Sequence, residues 1–480
     1  MHPNIKNKQD FKILLIGGFD STGGAGLQRD LEFQRNNENL RIIPTFYSYQ
    51  GENFILQNIK RSYFHECMKD ICHHWQNVPV LIKVGALNKA WQIAEIIHLK
   101  RRLKNVYLLY DPVVSSSRGN DFLDDDLIKT IKYKFFNEID LLTPNIDEVY
   151  KFSGLQIESL DDYKKAKNIL GVKALLIKGG HHKKHYDYFA NATDAFFLNS
   201  KFYHQSFRGT GCSLGSLIIR GLSEGLYLED AIVWAKAVLS SNLKDLTKYI
   251  ELKRFVLELP QISFDGHFER LDFPSLKFNK TTFYPIVSSF IELEKIIDTG
   301  IKLVQLRIKD QLPYYIQSEI KKCLKICQKF NVYLFVNDHW EIAIDENVHG
   351  IHLGFENLQN ADLKKIQNAG LFLGVSSHSY LEAAFVSQFN PSYIALGPIY
   401  HTTLKNMRFH PQGENALRTW VKIFKPPVVA IGGITLENCD KVLQTKPGFI
   451  SAVQDIARSK NPNERVNRWL NKISELSPPV

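Results

Sequence analysis

The sequence lacks any apolar run long enough to cross a bilayer. A spanning helix needs about 18 consecutive apolar residues, and the apolar stretches of this 480-residue chain are much shorter. The N-terminus, MHPNIKNKQD, is polar and has neither the apolar core nor the small-residue cleavage site of a secretory signal. We therefore expect a cytoplasmic protein without a membrane segment.

Cysteine is scarce. The six cysteines are scattered and no two of them form a CxxC pair, which argues against a disulfide framework and against a zinc site. The histidine clusters HHKKH (181–185) and CHHW (72–75) are interpreted as surface segments, because adjacent histidines rarely point at one ion. The acidic run DFLDDD (121–126) is interpreted as a capped helix start.

A strong excess of one charge is also missing. The net charge is +10, but the 60 Lys and Arg residues are spread along the chain among 50 acidic ones. This distribution makes nucleic-acid binding the least favoured hypothesis, and anionic small substrates explain the mild excess equally well. The hydrophobic fraction of 44% and the charged fraction of 23% are typical of a globular protein. The length predicts two domains and leaves three open.

The second half of the chain shows eight short β-branched or aromatic runs separated by helical stretches. The runs are TFYPIV, LVQLRI, VYLFVN, GIHLG, FLGVSS, YIALG, VVAIGG and FISAV. Eight βα units in about 200 residues predict a small (β/α)₈ TIM barrel over 281–480.

Polar residues and glycines follow these strands, where a barrel enzyme carries its chemistry. The positions are Ser288, Ser289, Arg307, Lys309, Asn337, Asp338, Gly354, Glu356, Ser376–His378, Gly397, Gly432 and Gly433. Cations, a metal-binding carboxylate and bare backbone N–H groups on one rim predict a site for pyrophosphate or for two phosphates.

The first half also alternates strand and helix patterns. KILLIGG, RIIPTFYS, LIKVG, VYLLYDPV, IDLLTPN and ALLIKGG are candidate strands, and 186–205 is a candidate hairpin region. The order predicts an open, mostly parallel sheet flanked by helices over 1–256. The proline-containing, non-periodic segment 257–280 is predicted to be the linker.

The stretch RGTGCSLGS (208–216) predicts a helix start preceded by glycines. Free N–H groups and the helix dipole suit a phosphate there. The thiol of Cys212 would lie beside that anion, and a thiol at a helix N-terminus is expected to have a lowered pKa. Neither this motif nor GGFDSTGGAG is a Walker loop or a clean GxGxxG motif.

Six motifs in the first half resemble hydroxymethylpyrimidine and phosphomethylpyrimidine kinase, a member of the ribokinase-like superfamily. They are GGFDSTGGAGLQRD (17–30), KVGAL (83–87), DPVVSSSRG (111–119), LLTPNIDEV (141–149), IKGGHH (177–182) and GTGCSLGS (209–216). The resemblance implies that Gly209, Thr210 and Gly211 form an anion hole. Cys212 stands where relatives carry an aspartate base, and its thiolate is expected to take the proton of the substrate hydroxyl.

The same resemblance implies further kinase contacts. Asp111 and Glu148 would help hold Mg²⁺ and the phosphates of ATP, and Lys178 would lie near the nucleotide. Asp20, Gly24 and Gln50 would face the pyrimidine. The chain departs from the family at TFYSYQGEN (45–53), at Ala86, and at Phe207 and Arg208 before the GTGC loop. A pyridoxal-type vitamin kinase and a non-catalytic module therefore stay open as alternatives for this half.

Seven motifs in the second half resemble thiamine-phosphate synthase. They are YPIVSS (284–289), VQLRIKD (304–310), VNDHWEIAI (336–344), GIHLGFENL (350–358), GVSSH (374–378), YIALGPIYHTTLK (393–405) and AIGGI (430–434). In that family pyrophosphate leaves in a dissociative step and the thiazole nitrogen captures the resulting cation. Catalysis then depends on stabilising the leaving diphosphate and aligning the rings.

This second resemblance implies a role for each rim residue. The diphosphate would be held by Gln305, Arg307, Lys309, Asn337, Ser376 and Lys405. Asp338 and Glu356 would hold Mg²⁺, and the thiazole phosphate would lie at Thr402, Thr403, Gly432 and Gly433. Departures stand at Phe355 and Asn357, at His401, and at Gln454 and Asp455. A carboxylate at Asp455 is expected to weaken phosphate binding or to rearrange its loop.

Together the two resemblances imply one pathway. Hydroxymethylpyrimidine would be phosphorylated twice with ATP, and its diphosphate would then be coupled to thiazole phosphate to give thiamine phosphate. The expected partners are small phosphorylated pyrimidines and thiazoles, and the sequence leaves a homo-oligomer open.

Overall fold

The computed structural model describes residues 11–34, 38–50, 54–115, 121–180, 186–200, 209–242, 257–402 and 410–476. The chain divides into two compact units, Met1–Phe268 and Glu269–Val480. The division falls inside 257–280, the predicted linker, and the domain limits themselves stay a prediction. No described helix is both long and apolar enough to cross a membrane.

The first unit is built on one sheet. Its strands are β1 (Lys12–Asp20), β2 (Leu40–Gln50), β3 (Phe54–Asn58), β4 (Pro79–Val84), β5 (Asn105–Tyr110), β6 (Leu141–Leu142), β7 (Leu175–Ile177), β8 (Tyr186–Ala190), β9 (Ala195–Asn199) and β10 (Gln261–Ser263). Their order is β10-β9-β8-β7-β6-β5-β4-β1-β2-β3. From β7 to β2 neighbouring strands are parallel, and the outer pairs are antiparallel. The hairpin predicted within 186–205 is confirmed as β8 and β9.

Helices accompany this sheet. They are α1 (Gly26–Phe33), α2 (Arg61–Trp75), α3 (Ala90–Arg102), α4 (Asp125–Thr130), α5 (Ile146–Ser153), α6 (Leu160–Leu170), α7 (Thr210–Ser223) and α8 (Leu228–Asn242). The acidic run does begin a capped helix, because the carboxylate of Asp124 accepts a hydrogen bond of 2.8 Å from the N–H of Leu127. At the end of α2 both histidines of CHHW are exposed, as predicted, whereas HHKKH lies outside the described residues.

Strands of the second unit are all parallel. They are β11 (Thr282–Phe283), β12 (Ile286–Val287), β13 (Leu303–Leu306), β14 (Tyr333–Asn337), β15 (Gly350–Leu353), β16 (Phe372–Ser377), β17 (Tyr393–Leu396), β18 (Val428–Ala430) and β19 (Phe449–Ile450). They are hydrogen-bonded in the order β11-β19-β18-β17-β16-β15-β14-β13-β12. Only Tyr284 and Pro285 separate β11 from β12, the two strands at the ends of this order.

Helices alternate with these strands. They are α9 (Phe290–Glu294), α10 (Pro313–Phe330), α11 (Trp340–Asp345), α12 (Phe355–Leu358), α13 (Leu363–Asn368), α14 (Tyr380–Ser387), α15 (Gly413–Ile423), α16 (Asp440–Leu443), α17 (Gln454–Ala457) and α18 (Pro462–Leu476). Two of these helices have serine N-caps: the hydroxyl of Ser289 caps α9 and the hydroxyl of Ser379 caps α14. The prediction of two α/β units with parallel strands and accompanying helices is confirmed.

Residues of the predicted linker pack onto both units. In the first unit β10 pairs with β9, and in the second unit the side chains of Leu271, Phe273 and Leu276 are buried. Much of 257–280 is therefore part of the two cores.

Two candidate active sites

The first unit contains a cavity of about 700 Å³ at the carboxyl ends of its parallel strands. Most of the predicted kinase residues line it: Asp20, Asp111, Glu148, Lys178, Gly209, Thr210, Gly211 and Cys212. Gly24 is adjacent, since its carbonyl oxygen would lie 2.5 Å from a Cβ placed on Gly209. Gln50 ends β2, but its side chain lies outside the described residues, as does Arg208.

The start of α7 forms one wall of this cavity. Gly209 precedes the helix with φ of 81°, a left-handed conformation that favours glycine. A Cβ on Gly211 would lie 3.2 Å from the Nζ of Lys178, so the helix start and that cation are in contact. The first-turn N–H groups thus lie beside an ammonium group, an arrangement suited to an anion.

A buried ion pair faces this helix start. The Nζ of Lys178 donates to the Oδ1 of Asp111 at 2.6 Å, and the hydroxyl of Thr143 donates to the same oxygen at 2.9 Å. Burial by itself raises the pKa of Asp111, but the ammonium groups of Lys178 and Lys83 outweigh it and the pKa is lowered. Asp111 is therefore a charged carboxylate in an enclosed site.

Glu148 is the second buried carboxyl group of the cavity. It belongs to the capping box of α5, where the N–H of Asn145 donates to its Oε2 at 2.7 Å and its own N–H donates to the Oδ1 of Asn145 at 2.7 Å. Burial raises its pKa to about 7, against the lowering effect of Lys178. Near neutral pH this carboxyl group is only partly ionised.

A second buried pair, Lys83 with Asp30, was missed by the sequence analysis. The Nζ of Lys83 lies 2.7 Å from both carboxylate oxygens of Asp30, and the hydroxyl of Ser216 donates to Asp30 at 2.8 Å. Both residues lie in quoted motifs, KVGAL and GLQRD, but only the fold shows that they meet. The pair joins β4, α1 and α7 beside Cys212.

The expectation of a lowered pKa for Cys212 is wrong. Burial raises the pKa of this thiol to about 11, and the carboxylates of Asp30 and Asp111 offset the lowering effect of Lys83. The helix start is present, but it does not compensate for the loss of water around the thiol.

An apolar wall closes another part of the cavity. The rings of Phe46 and Phe122 lie 5.0 Å apart, between ring centroids, and both line the cavity together with Ser48. Phe46 and Ser48 belong to the segment 45–53 that departs from the kinase family.

In the second unit, three predicted site residues lie at or next to the carboxyl ends of parallel strands. Gln305 is in β13, Asn337 ends β14, and Ser376 is in β16. The amide nitrogen of Asn337 donates to the carboxylate of Asp338 at 2.5 Å, and the N–H of Gly354 donates to that carboxylate at 3.3 Å. Asp338 has φ of 64°, so its backbone turns sharply as the strand ends.

His352 joins several of these positions. Its Nε2 lies 2.8 Å from the Oγ of Ser376 and its Nδ1 lies 2.9 Å from the hydroxyl of Tyr393. Burial lowers the pKa of His352 to about 4, partly offset by Asp338 and reinforced by Arg307. Arg307 and Asp338 are thus both near enough to act electrostatically on one imidazole. His352 was not among the predicted site residues, although it lies in the motif GIHLGFENL.

Other predicted residues lie further out. Lys309 and Glu356 are exposed. Thr402 is described, whereas Thr403 and Lys405 lie outside the described residues. In the described part of the chain no group of three or more His, Cys, Asp or Glu residues is arranged to hold a metal ion.

The glycine loop after β18 approaches the loop after β17 closely. Gly432 has φ of 97° and Gly433 has φ of 70°. A Cβ on Gly433 would lie 2.5 Å from the carbonyl oxygen of His401. This position therefore requires glycine, and the contact brings the predicted thiazole-phosphate residues Gly433 and Thr402 into neighbouring loops.

Asp455 is bound within the protein. Its Oδ2 accepts hydrogen bonds from the Nε of Arg465 at 3.0 Å and from the indole N–H of Trp469 at 2.7 Å. Arg465 also contacts Glu437 at 2.8 Å. The carboxylate that was expected to repel a phosphate therefore has its charge paired.

Comparison with known proteins identifies this second unit. The family model described as thiamine monophosphate synthase matches residues 285–456. Thiamine-phosphate synthase from Citrobacter koseri is 40% identical over 200 residues, which cover 42% of this chain and 94% of the relative. The chain belongs to the thiamine-phosphate synthase family. The synthase from Rhizobium etli is 44% identical over 191 residues, covering 39% of this chain and 93% of the relative.

The first unit of this synthase-family chain matches a second family. The family model described as phosphomethylpyrimidine kinase matches residues 20–254. The chain is therefore a bifunctional enzyme of thiamine biosynthesis, with a phosphomethylpyrimidine kinase unit followed by a thiamine-phosphate synthase unit. Both predicted resemblances are confirmed.

Solved structures are similar at lower identity. Phosphomethylpyrimidine kinase from Clostridium difficile is 24% identical with a TM-score of 0.42, covering 48% of this chain and 99% of that chain. Pyridoxal kinase from Staphylococcus aureus in complex with AMP-PCP is 22% identical with a TM-score of 0.46, covering 53% of this chain and 98% of that chain. Thiamine phosphate pyrophosphorylase from Pyrococcus furiosus is 22% identical with a TM-score of 0.36, covering 41% of this chain and 98% of that chain.

Proposed function

We propose that the first unit phosphorylates hydroxymethylpyrimidine and then its phosphate, with ATP, and that the second unit couples the diphosphate to hydroxyethylthiazole phosphate. The products are thiamine phosphate and pyrophosphate. The observation that carries the proposal for the first unit is the single cavity in which the start of α7, Lys178, Asp111 and Cys212 meet.

The kinase cavity fits ATP and Mg²⁺. Asp111 and Glu148 offer buried carboxylate oxygens, the type of donor that Mg²⁺ prefers. Lys178 and the N–H groups of Thr210 and Gly211 offer positive charge to a phosphate. When bound, Mg²⁺ neutralises phosphate charge, and phosphoryl transfer depends mainly on such neutralisation and on positioning.

Cys212 would take the proton of the substrate hydroxyl. Its place at the third position of α7 puts the thiol beside the anion-binding N–H groups. Since burial raises its pKa to about 11, the thiol is protonated at pH 7 in the free enzyme, and bound substrate has to favour the thiolate for this step. The apolar wall of Phe46 and Phe122 would cover the pyrimidine ring, with Asp20, Gly24 and Gln50 at its polar edge.

The synthase site would stabilise the leaving diphosphate. Arg307, Lys309, Asn337, Ser376 and Lys405, with Gln305, would bind it. Asp338 supplies the carboxylate oxygen suited to Mg²⁺, and Glu356 would be the second carboxylate. Thr402, Thr403 and the N–H groups of Gly432 and Gly433 would bind the thiazole phosphate.

We also propose that the first unit has the ribokinase-like fold and that the second unit is a closed (β/α)₈ barrel. The second proposal is supported by β11 and β12, which pair with β19 and β13 respectively. Because only two residues separate them, these strands act as one strand that joins both ends of the sheet.

Six free cysteines are consistent with a reducing compartment, and we propose a cytoplasmic location.

The deciding experiment supplies the purified chain with ATP, Mg²⁺, hydroxymethylpyrimidine and thiazole phosphate, and measures thiamine phosphate. We expect Cys212→Ala to block the reaction unless the pyrimidine diphosphate is supplied, and Arg307→Ala to block it in both cases. Lys129→Ala and Lys329→Ala, which remove exposed lysines, are the matched controls.

Two results would contradict this proposal. ATP turnover with pyridoxal but not with the pyrimidine would indicate a vitamin kinase of another specificity. No pyrimidine-dependent ATP turnover, together with normal coupling of supplied diphosphate, would indicate a non-catalytic first unit.

A further inference from the structure

A continuous row of hydrogen-bonded side chains, four of them buried, ends at Ser376. The amide nitrogen of Gln305 donates to the hydroxyl of Tyr284 at 3.3 Å, and that hydroxyl lies 2.8 Å from the hydroxyl of Tyr393. The hydroxyl of Tyr393 lies 2.9 Å from the Nδ1 of His352, whose Nε2 lies 2.8 Å from the Oγ of Ser376. We name this row the Gln305–Ser376 chain.

The protein makes room for the centre of this chain. A Cβ on Gly374 would lie 2.3 Å from the hydroxyl oxygen of Tyr393, so any larger residue there would displace that hydroxyl. Tyr284 and Tyr393 are almost fully buried, and Gln305 and His352 are buried as well. Buried polar groups of this kind must satisfy one another, because water is not there to do so.

The hydrogen-bond direction in such a chain is shared by all of its members. A neutral imidazole has one donor and one acceptor nitrogen, and His352 is expected to be neutral because an unpaired buried charge is costly. If the amide nitrogen of Gln305 donates to Tyr284 and each buried hydroxyl proton has its acceptor within the row, then Tyr284 donates to Tyr393 and Tyr393 donates to Nδ1. The proton of His352 is then on Nε2, which donates to Ser376.

The two possible directions leave Ser376 with opposite properties. In the direction just given, Ser376 already accepts a hydrogen bond and its own O–H is free to donate to an anion. In the reverse direction, the hydroxyl of Ser376 donates its only proton to Nε2. The oxygen then presents only lone pairs to the ligand, and these lone pairs repel an anion. The amide of Gln305 would then have to accept from Tyr284.

We propose that Tyr393 and His352 are positioning residues that hold the hydroxyl of Ser376 as a donor toward the diphosphate, through the Nε2–H tautomer of His352. This inference rests on the proposed function, in which Ser376 contacts the diphosphate. It adds two residues that act through Ser376 rather than on the reacting atoms.

The test compares two tyrosine variants in the full-length chain. Tyr393→Phe removes the only member that donates to Nδ1, whereas Tyr284→Phe, the matched control, leaves Tyr393 with its hydrogen bond to His352. NMR of the chain labelled with ¹⁵N-histidine reads the tautomer, and the spectrum of His352→Gln identifies the signal. The Michaelis constants of both synthase substrates are measured in parallel.

We expect the Nε2–H tautomer in the wild type and in Tyr284→Phe, and a mixture of tautomers in Tyr393→Phe. We also expect Tyr393→Phe to raise KM for the pyrimidine diphosphate about tenfold, the effect of one hydrogen bond to a charged group, with KM for thiazole phosphate unchanged. A wild type with the proton on Nδ1 would overturn the inference, as would equal effects of the two variants.

Other outcomes remain distinguishable. If Tyr393→Phe does not fold, the tautomer of His352 in the wild type and in Tyr284→Phe decides whether the inference holds. If the wild type couples no supplied substrates, the proposed function fails, whereas a wrong tautomer in an active chain refutes only the positioning role.

Discussion

Two titratable groups of the kinase cavity, Cys212 and Glu148, are governed by the same physical effect. Burial raises the pKa of Cys212 to about 11 and that of Glu148 to about 7. Each group therefore carries less negative charge at pH 7 than it would in water. Ligands that bring positive charge, such as a bound Mg²⁺, are expected to lower both pKa values, so the empty and the loaded sites differ in charge.

For Cys212 this predicts a pH-dependent kinase reaction. At pH values well below 11 the thiol of Cys212 in the free enzyme is almost fully protonated. The fraction of Cys212 that is thiolate therefore rises about tenfold for each pH unit between 7 and 9. We expect kcat/KM for hydroxymethylpyrimidine to rise with that slope, and Cys212→Asp, which places a carboxylate there, to flatten it. A flat wild-type profile would show that Cys212 is not the base.

For Glu148 the prediction concerns stability. A carboxyl group whose folded pKa is about 7, above its ordinary 4.5, destabilises the fold as pH rises from 4.5 through 7, by up to about 3 kcal/mol. Glu148→Gln is therefore expected to stabilise the first unit at pH 8 and to change nothing at pH 4.5. Urea unfolding followed by circular dichroism measures this. The control is Glu66→Gln on the exposed face of α2, and an equal change at both pH values would contradict the assignment.

Packing between elements depends on the buried pair of Lys83 and Asp30. Their side chains are 1% and 3% exposed, and they tie β4 to α1, with Ser216 adding α7. Burial lowers the pKa of Lys83, but the carboxylates of Asp30 and Asp111 outweigh it and the pKa is raised. The lysine is therefore charged, and its removal leaves Asp30 without a counterion.

Lys83→Met is accordingly expected to reduce the free energy of unfolding of the first unit by about 3–5 kcal/mol. The double variant Lys83→Met/Asp30→Leu should recover most of that loss, because no unpaired charge remains. Lys129→Met is the control: its partner Asp126 is 93% exposed, and the change should be under about 1 kcal/mol. If the double variant is no more stable than Lys83→Met, the charge explanation is wrong.

How much the sequence could predict depends on how local each signal is. The glycine loop before α7, the strand that precedes Arg307 and the strand that ends at Asn337 were predicted because strand periodicity and turn residues lie within a few positions. Lys83 and Asp30 are 53 residues apart in sequence, and nothing near either one indicates the other. The pKa of Cys212 was predicted with the wrong sign because a local rule about helix starts was applied without knowing the burial.

At the scale of the whole molecule, the boundary between the two units lies within 257–280, the segment that the sequence predicts to be a linker. The segment 257–280 has no periodicity, yet its first part forms β10 and its last part packs in the second unit. Hydrogen bonds hold the last part there: the side-chain hydroxyl of Ser392 donates to the carbonyl of Pro274 at 2.6 Å, and the N–H of Phe273 donates to the carbonyl of Asn390 at 3.3 Å. A composition signal alone does not show such docking.

A fragment of residues 269–480 is therefore expected to fold and to couple supplied diphosphate, whereas a fragment of 281–480 should be less stable. The shorter fragment loses the buried side chains of Leu271, Phe273 and Leu276, and burial of a large apolar side chain contributes about 1.5–3 kcal/mol. Thermal unfolding of both fragments, with synthase rates at 25 °C as the control for correct folding, measures the difference. Equal melting temperatures would show that 269–280 is a true linker, and that the boundary between the units belongs at residue 281.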